Sequence, residues 1–312
     1  MEEIEKVLII GSGPAGYTAA IYAARSGLKP LLISGLEPGG QLMITTEVEN
    51  FPGFENPVQG PWLMEQMKNQ ALSFGTKIHN DRVVKVEFNN YPFQVITEKN
   101  SQISSYSVII STGAKAKWLD IPGEENFMGF GISACATCDG FFFKNKDVAV
   151  IGGGNTAVEE ALYLSNLCKK VTLIHRRNQL RAEKILQDRL VQKKNVRILW
   201  NSVVNEFIGS DKPKTLEKLL ISSGKKSLEL KVDGAFVAIG HSPSTEIFKN
   251  SLNMDSEGYI HTENKSTKTS IDGIFAAGDV TDKIYRQAVT AAGMGCMGAL
   301  EVEEFLSKKS II

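Results

Sequence analysis

One pattern constrains this chain more than any other: a buried strand, a glycine-rich turn, a helix and a second strand follow one another twice. The first copy comprises the strand Lys6 to Ile10, the turn Gly11-Ser12-Gly13-Pro14-Ala15-Gly16, the helix Tyr17 to Ser26 and the strand Lys29 to Ile33. The second comprises the strand Asp147 to Ile151, the turn Gly152-Gly153-Gly154-Asn155-Thr156-Ala157, the helix Val158 to Cys168 and the strand Val171 to Ile174. Continuous apolar runs are typical of parallel strands covered on both faces, so the repeat predicts two α/β domains.

Each copy continues into short segments that predict a small antiparallel meander and a returning strand. These segments are Val83 to Phe88, Phe93 to Thr97 and Tyr106 to Ile110, and then Val196 to Trp200, Leu216 to Ser222 and Leu228 to Lys231. The tail adds only a strand ending in Gly278-Asp279 and a helix from about Gln287 to Leu306, too little for a third domain. We therefore predict two Rossmann-like dinucleotide-binding domains of the three-layer ββα type, one built from residues 1–114 and 245–312 and the other inserted at 115–244.

A glycine turn between a buried strand and a helix is the context in which this motif binds a dinucleotide. The glycines let the backbone approach a pyrophosphate, and the helix N-terminus offers it unpaired N–H groups and a partial positive charge. The candidate binding residues are Gly11, Ser12, Gly13, Pro14, Ala15 and Gly16 in the first copy, and Gly152, Gly154, Asn155 and Thr156 in the second. A purely structural strand-to-helix turn is the alternative for each copy.

The residues that follow the second strand of each copy differ in charge. His175-Arg176-Arg177, with Arg181 four residues further, follow the second copy, whereas the first ends in Ser34-Gly35-Leu36-Glu37. A carboxylate here usually holds a ribose 2′-hydroxyl, and arginines suit a 2′-phosphate, so the second copy predicts NADPH. A solvated basic face leading into a helix over Lys184 to Lys194 is the alternative. In the first copy Gly35 and Glu37 are the candidates for an adenosine ribose.

The tail supplies the other half of the first site. Asp279, at a strand end after Gly278, can accept hydrogen bonds from hydroxyl groups of a ligand, although a helix cap or turn is its alternative role. Gln287 and Ala288 begin the last helix, whose N-terminal amides would stabilise the negative charge that a flavin ring gains on reduction. These residues predict FAD in the first domain.

The segment Cys135-Ala136-Thr137-Cys138-Asp139-Gly140 lies just before the second glycine turn. A zinc site would need a further Cys or His pair, which Cys168, Cys296 and the four histidines do not provide at ligand spacing. Buried core cysteines fit the small and polar neighbours poorly. A redox dithiol needs two close sulfurs and a proton donor, a role that Asp139 could fill, although Asp before Gly is often a turn former. Cys168 and Cys296 are interpreted as packing residues.

Composition excludes other classes of function. Lys+Arg and Asp+Glu both number 35, which argues against a nucleic-acid surface. No apolar stretch reaches the ~18 residues of a membrane span, and the acidic start has no signal-peptide layout. We therefore expect a cytoplasmic protein in a reducing compartment, where a cysteine pair is transient and chemical rather than structural.

The whole chain resembles the low-molecular-weight thioredoxin reductases of bacteria. The matching segments are Gly11 to Gly16, Gly39-Gly40-Gln41-Leu42, Thr46 to Gly53, Cys135 to Gly140, Gly152 to Ala157, His175-Arg176-Arg177, Ala276 to Asp279 and Tyr285-Arg286-Gln287-Ala288. The resemblance implies a homodimer with one FAD per subunit, NADPH as reductant and thioredoxin as partner. It assigns the attack on the partner disulfide to Cys135, the exchange with the flavin to Cys138 and the proton to Asp139. It places Gln41, Thr46 and Asn50 in the stretch next to the flavin and makes Gly40, Leu42 and Arg286 further candidates for FAD binding.

The resemblance also implies that the NADPH domain rotates, with hinges near Lys115 to Lys117 and Gly240 to Thr245. Phe130 departs from the family pattern, which has a basic residue there that helps to dock thioredoxin. A glutaredoxin-like or peroxidase-linked partner is therefore an alternative. Ferredoxin reductases lack a cysteine pair, glutathione-reductase relatives carry a wider pair in a longer chain, and a nucleotide-sensing protein would leave its flavin unreduced by NADPH.

Overall fold

The computed structural model describes residues 4–45, 47–224 and 226–312. The chain divides into two compact units: unit 1 is Met1–Lys115 with Ser242–Ile312, and unit 2 is Ala116–His241. Each unit contains a five-stranded parallel sheet and a three-stranded antiparallel meander, so the predicted fold class is confirmed. Within the described part of the chain, no helix is both long and apolar enough to cross a membrane.

The elements follow in chain order. The first segment contains β1 Leu8–Ile10, α1 Pro14–Arg25, β2 Leu31–Ile33, α2 Gly60–Ser73, β3 Lys77–His79, β4 Val83–Glu87, β5 Phe93–Thr97, β6 Gln102–Ser105, β7 Val108–Ile110 and β8 Ala114–Ala116. Next come α3 Glu124–Phe127, β9 Ile132–Ser133, α4 Ala136–Asp139, β10 Asp147–Gly152, α5 Asn155–Ser165, β11 Lys170–Ile174, α6 Lys184–Val191, β12 Val196–Leu199, β13 Ser202–Asp211, β14 Lys214–Ser223, β15 Lys226–Lys231, β16 Gly234–Ala238 and β17 His241–Pro243. The last elements are β18 Ile274–Ala276 and α7 Ala288–Lys308; short 3₁₀ helices cover Gly40–Ile44, Gly140–Phe143 and Glu246–Phe248.

Unit 1 is a three-layer structure around a sheet with strand order β18-β7-β1-β2-β3. Successive residues of a strand point to opposite faces. Ile9 and Leu32 belong to the core cluster that contains apolar residues of α1, α2 and α7. Leu8 and Ile10 belong to a second cluster, shared with the meander β4–β6. Both faces of the sheet are therefore buried, which explains the uninterrupted apolar run of β1.

Small residues let α7 pack closely against α1. A Cβ added at Gly295 would lie 2.1 Å from the carbonyl oxygen of Ala15, far inside van der Waals contact. Ala15 belongs to the first glycine turn, so this close packing places α7 beside that turn. The helix that the sequence assigns to the tail therefore belongs to the first site.

Unit 2 repeats the plan with strand order β12-β11-β10-β16-β9. Val148 and Val150 of β10 pack with α5 and α6, whereas Ala149 and Ile151 pack with the meander β13–β15. The edge strand β9 is short and pairs with β16 through Ile132 and Ser133. The cysteine segment begins directly after this strand, so one end of that segment is fixed to the sheet.

Two strand assignments from the sequence were wrong. Val196 to Trp200 and Tyr106 to Ile110 were predicted to belong to the meanders, but β12 and β7 lie in the parallel sheets. The third meander strands are instead β13 and β6. A partly exposed edge strand such as β12 shows the same alternation as a meander strand, so periodicity does not distinguish them.

The two glycine turns also differ from the sequence prediction in where their helices begin. The predicted helices began after Gly16 and Ala157, but α1 begins at Pro14 and α5 at Asn155. Proline is favoured in the first helical turn because its missing N–H has no intrahelical acceptor there. Half of each glycine turn is therefore the first turn of a helix.

Candidate dinucleotide and disulfide sites

The first glycine turn leaves open space at the N-terminus of α1. Gly11 has φ +110°, and an added Cβ would lie 2.3 Å from the carbonyl oxygen of Ser111, so the fold itself requires glycine there. Gly13 is the N-cap of α1, and an added Cβ would meet nothing within 4 Å. Glycine at position 13 is thus not required by protein packing, and the space beside it suits a phosphate at the helix N-terminus.

Ser12 connects this turn to the loop after β2. Its Oγ donates to the carbonyl oxygen of Ser34 at 2.7 Å and accepts from the N–H of Gly39 at 3.1 Å. The loop so held contains Gly35 and Glu37. The Glu37 side chain is 79% exposed and lies 3.4 Å from Lys115 Nζ. This exposed carboxylate lies on the loop beside the turn, where a ribose could bind it. The sequence did not predict its ion pair with Lys115.

The strand end at Asp279 lies against the same turn. A Cβ added at Gly278 would lie 2.9 Å from the Cβ of Ala15. Burial raises the pKa of Asp279 to about 7; nearby Asp282 acts in the same direction and Arg286 opposes them. A largely buried carboxyl group at the mouth of a glycine turn fits a ligand that donates hydroxyl hydrogen bonds.

Residues far apart in sequence meet at the start of α7. Gln287 is the N-cap of that helix, Ala288 is its first residue, and Asn50 Nδ2 donates to Gln287 Oε1 at 3.4 Å. The Arg286 N–H donates to Asp282 Oδ2 at 3.1 Å. Gly40, Gln41 and Leu42 form part of the 3₁₀ helix Gly40–Ile44, and Thr46 lies outside the described residues. The structure thus brings Asn50 and Gln287 together, as a shared ligand would require.

The second glycine turn repeats the geometry of the first. Gly154 is the N-cap of α5, and a Cβ added there would meet nothing within 4 Å. A Cβ added at Gly152 would instead lie 2.3 Å from the carbonyl oxygen of Ala238. Asn155 Oδ1 accepts from the N–H of Glu183 at 2.8 Å, and Thr156 is half-buried. The open position again lies at a helix N-terminus.

The basic segment after β11 divides into one buried residue and three exposed ones. His175 is 4% exposed, and a Cβ added at Gly153 would lie 2.1 Å from its ring. Burial lowers the pKa of His175, whose Nε2 lies 2.9 Å from the carbonyl oxygen of Gln179. Arg176, Arg177 and Arg181 are exposed, and the Arg181 N–H donates to the carbonyl oxygen of Gly153 at 2.7 Å. The arginines therefore place positive charge beside the turn, and the buried ring of His175 packs against the turn at Gly153.

Cys135 and Cys138 form a disulfide with a Cα–Cα distance of 5.3 Å. Cys135 is the N-cap of the one-turn helix α4, and Asp139 is its last residue. Burial raises the pKa of Asp139, and a hydrogen bond from Ser133 acts in the opposite direction. Of the other cysteines, Cys168 is buried, and burial raises its pKa to about 11, which makes it a poor nucleophile at neutral pH.

Two residues beside the disulfide were missed in the sequence. Ser133 Oγ donates to Asp139 Oδ2 at 2.5 Å and accepts from the N–H of Cys135 at 3.0 Å. Glu160, on α5, accepts from the N–H of Ala136 at 3.4 Å. Only Ser133 left a local signal: a polar residue at the end of an apolar edge strand, two positions before a cysteine.

Comparison with known proteins agrees with this arrangement. Residues 5–295 match the pyridine nucleotide-disulphide oxidoreductase family. A thioredoxin reductase from Rickettsia felis is 58% identical over 99% of this chain and 100% of its own length. The solved thioredoxin reductase from Streptococcus pyogenes is 42% identical, covers 99% of this chain and 100% of its own, and superposes with a TM-score of 0.93. A Pseudomonas fluorescens relative, 51% identical over 96% of this chain and 95% of its own, carries the name glucosaminate ammonia-lyase.

The chain therefore belongs to the pyridine nucleotide-disulphide oxidoreductase family, and relatives that are 52–58% identical to it are named thioredoxin reductases. The predicted enzyme class is confirmed: this is an NADPH-dependent flavoprotein disulfide reductase that uses FAD. The open space at the helix N-termini of Gly13 and Gly154 fits the two dinucleotides of this enzyme class. The bond between Cys135 and Cys138 fits its redox-active disulfide.

Proposed function

We propose that the protein is a thioredoxin-disulfide reductase, in which electrons pass from NADPH through FAD and the Cys135–Cys138 disulfide to oxidised thioredoxin. The observation that carries this is the disulfide itself, held in a one-turn helix next to a partly buried carboxyl group. The name shared by the Rickettsia and Streptococcus relatives supports thioredoxin as the partner.

Unit 1 is the proposed FAD-binding domain and unit 2 the proposed NADPH-binding domain. The FAD pyrophosphate would lie at Gly13, with Glu37 at the adenosine ribose, Asp279 at flavin-side hydroxyls, and Asn50 and Gln287 near the ring. The NADPH pyrophosphate would lie at Gly154, with Arg176, Arg177 and Arg181 on the 2′-phosphate. Arginine suits this role because its fork of donors matches phosphate oxygens.

Cys135, Cys138 and Asp139 each have a separate role in the proposed disulfide chemistry. When bound, FAD takes two electrons from NADPH and supplies them to the disulfide. Cys135, at the start of α4, then attacks the disulfide of thioredoxin as a thiolate, and Cys138 resolves the mixed disulfide. Asp139 holds the proton that the opening disulfide requires, because burial raises its pKa and so favours the protonated form.

Movement of unit 2 is also part of the proposal. NADPH and the disulfide both belong to unit 2, so both must reach one flavin in turn, and Cys135 must afterwards meet a whole protein. The proposed hinges are Lys115 to Lys117 and Gly240 to Thr245, where the chain passes between the units. A covalent cross-link between the units should preserve either flavin reduction or thioredoxin reduction but not both; full rates of both would exclude rotation.

Exposed aromatic rings of unit 2 are the proposed docking surface for thioredoxin. Phe141 is 56% exposed and Phe130 is 44% exposed. Lys144 Nζ lies 6.0 Å from the centre of the Phe141 ring, and Lys214 Nζ lies 4.7 Å from that of Phe130. Lys214 thus supplies a positive charge next to the position where Phe130 departs from the family pattern. Phe130→Ala should raise the KM for thioredoxin and leave the rate of flavin reduction by NADPH unchanged.

We further propose a cytoplasmic homodimer that forms through unit 1. Tyr22 of α1 and Met297 and Leu300 of α7 are exposed apolar side chains on two helices packed against each other. Exposed apolar patches of this kind are typical of protein interfaces. Sedimentation should show a dimer that Leu300→Glu converts to a monomer, while the control Val191→Glu, on an exposed site of unit 2, stays dimeric. Cell fractionation tests the compartment.

An anaerobic NADPH titration of the flavin-loaded protein, followed by oxidised thioredoxin, tests the central proposal. Electron uptake should equal one flavin plus one disulfide and fall by one disulfide in Cys135→Ser. The matched control Cys296→Ser changes a cysteine outside the disulfide and should titrate like the parent. Release of ammonia from glucosaminate without electron transfer to thioredoxin would contradict the proposal.

A further inference from the structure

We propose that Ser133 is the positioning residue for the acid–base group of this enzyme: its hydroxyl holds the Asp139 carboxyl against the cysteine turn and sets the pH range in which the disulfide opens. The inference rests on the proposed function, because it assigns Asp139 the proton of disulfide reduction. It adds a residue to that site and a reason for the pH dependence of the reaction.

The position of Ser133 is fixed by the pairing of its strand in the sheet and not by the cysteine turn beside it. It is the last residue of β9, is paired in register with Phe236 of β16, and is 8% exposed. Phe236 itself is fully buried in the core. A hydroxyl on such a residue has little freedom of position, and groups bonded to it share its rigidity.

One hydroxyl connects both ends of the cysteine turn. Ser133 Oγ accepts the N–H of Cys135 at 3.0 Å and donates its own proton to Asp139 Oδ2 at 2.5 Å. Cys135 is the N-cap of α4 and Asp139 is its last residue, so this one side chain ties both ends of the turn to β9, while Glu160 of α5 accepts from the N–H of Ala136. Replacement by alanine would leave the N–H of Cys135 and the carboxyl of Asp139 without this shared partner.

This connection does not depend on the disulfide. Once the bond between the two sulfurs is broken, α4 still has the backbone bonds from the N–H groups of Cys138 and Asp139 to the carbonyl oxygen of Cys135, at 3.3 and 3.1 Å. These bonds lie within the turn and do not tie it to the sheet. The Ser133 hydroxyl does, so it can hold Asp139 in the same place in the oxidised and the reduced states.

The chemical step is balanced through Asp139. Bound reduced FAD would supply the two electrons that break the sulfur–sulfur bond and would itself be left oxidised; one sulfur would remain a thiolate and the other would take up one proton. The Asp139 carboxyl gives its proton to the sulfur released as a thiolate and becomes a carboxylate, which regains a proton from solvent before the next turnover. Ser133 donates to that carboxylate, so it stabilises the product of the proton transfer.

The hydrogen bond from Ser133 is the main influence that opposes burial in setting the pKa of Asp139. The titratable side chains on the elements packed against α4 are Glu159, Glu160 and Tyr163 of α5 and Lys144 after the 3₁₀ helix Gly140–Phe143, together with the two thiols when reduced. Burial raises the pKa of Asp139 and the hydrogen bond from Ser133 lowers it. Removal of the hydroxyl therefore raises this pKa further.

The experiment measures, by stopped-flow absorbance, the rate at which the reduced flavin of the holoenzyme passes electrons to the disulfide, from pH 5 to pH 10. The rate should decline as the pH rises through the pKa of Asp139, where the carboxyl loses its proton, and Asp139→Asn should abolish that decline. In Ser133→Ala the decline should shift to higher pH by about one unit, because one charge-assisted hydrogen bond is lost. In Ser133→Thr, which keeps a hydroxyl, the profile should return towards that of the parent.

Two further variants separate this effect from general damage. Ser165→Ala removes another buried hydroxyl of unit 2, one that donates to the carbonyl oxygen of Leu162, and should leave the profile unchanged. If Ser133→Ala fails to fold, the isosteric pair Ser133→Thr and Ser133→Val answers the same question. Infrared titration of the Asp139 carboxyl should show the same shift without turnover.

An unshifted profile in Ser133→Ala or Ser133→Val would overturn the inference, as would an equal shift in Ser165→Ala. Thioredoxin takes no part in this measured step. A parent enzyme that opens its disulfide but does not reduce thioredoxin would therefore defeat the proposed partner, and the role of Ser133 would still be decided by the pH profiles.

Discussion

The two glycine turns share a backbone plan but not their charged neighbours. In each, one glycine is required by a carbonyl oxygen about 2.3 Å from its missing Cβ, and another leaves open space at a helix N-terminus. The turn of unit 1 is accompanied by the carboxyl groups of Glu37 and Asp279, and the turn of unit 2 by three exposed arginines. Under the proposed assignment of the two sites, the shared scaffold binds a pyrophosphate, and the charged residues of the loops beyond it select which dinucleotide carries that pyrophosphate.

The largest effect is expected from Gly11→Ala. The change puts a Cβ at φ +110° and 2.3 Å from the carbonyl oxygen of Ser111, which costs about 3 kcal/mol or more and displaces the turn. Purified protein should lack flavin absorbance and melt at a lower temperature. Gly13→Ala is the matched control, because its Cβ meets no protein atom: it should melt like the parent but bind FAD more weakly. Equal melting losses in both variants would show that the two glycines do not differ as described.

The double change Arg176→Gln and Arg177→Gln should have the next largest effect. Each arginine can contribute charge-assisted bonds to a 2′-phosphate worth roughly tenfold in affinity, so the KM for NADPH should rise about 100-fold. The KM for NADH should stay the same. Lys184→Gln is the control, since this exposed cation already pairs with Asp188 at 2.8 Å. Loss of affinity for both nucleotides alike would mean that the arginines support the turn rather than recognise a phosphate.

Glu37→Gln should weaken FAD binding by roughly tenfold or less, because one exposed carboxylate is replaced by an amide of similar shape. Equilibrium dialysis of the flavin measures the change. Lys115→Gln breaks the same ion pair and keeps the carboxylate, so it should bind FAD like the parent. If Lys115→Gln weakens FAD binding as much as Glu37→Gln, the carboxylate acts through Lys115 and not on the ribose.

The smallest effect concerns His175 and appears only as a pH dependence. Burial lowers the pKa of His175, so the folded protein favours the neutral ring more than the unfolded chain does. The free energy of unfolding should therefore fall as the pH drops below about 6.5, where unfolded histidine takes up a proton. His175→Gln should lose this part of the pH dependence in urea unfolding at pH 5.5 and 7.5. His79→Gln, at a more exposed ring, should retain it.

Short local patterns in the sequence were enough to predict much of the fold and to name most of the candidate site residues. The two turns and the cysteine segment are short and contiguous, so their chemistry is legible in the sequence itself. Glu37 is a candidate because it follows the second strand, whereas its pairing with Lys115 joins residues 78 positions apart. Glu160 reaches Ala136 only because α5 packs beside α4. Contacts of this kind depend on packing between elements, which periodicity and residue type do not specify.

The interrupted order of unit 1 has a consequence for synthesis on the ribosome. Strand β18 completes the sheet of unit 1 next to β7, but more than 160 residues separate Ile110 from Ile274. At roughly 5–20 residues per second, β7 waits on the order of 10–30 s for its neighbour. Unit 2 is continuous, so it can fold as it emerges, while the unpaired edge of β7 stays open to other chains. We expect nascent chains that are halted once unit 2 has left the ribosome, and before β18 has, to resist protease in unit 2 and to be cut in unit 1.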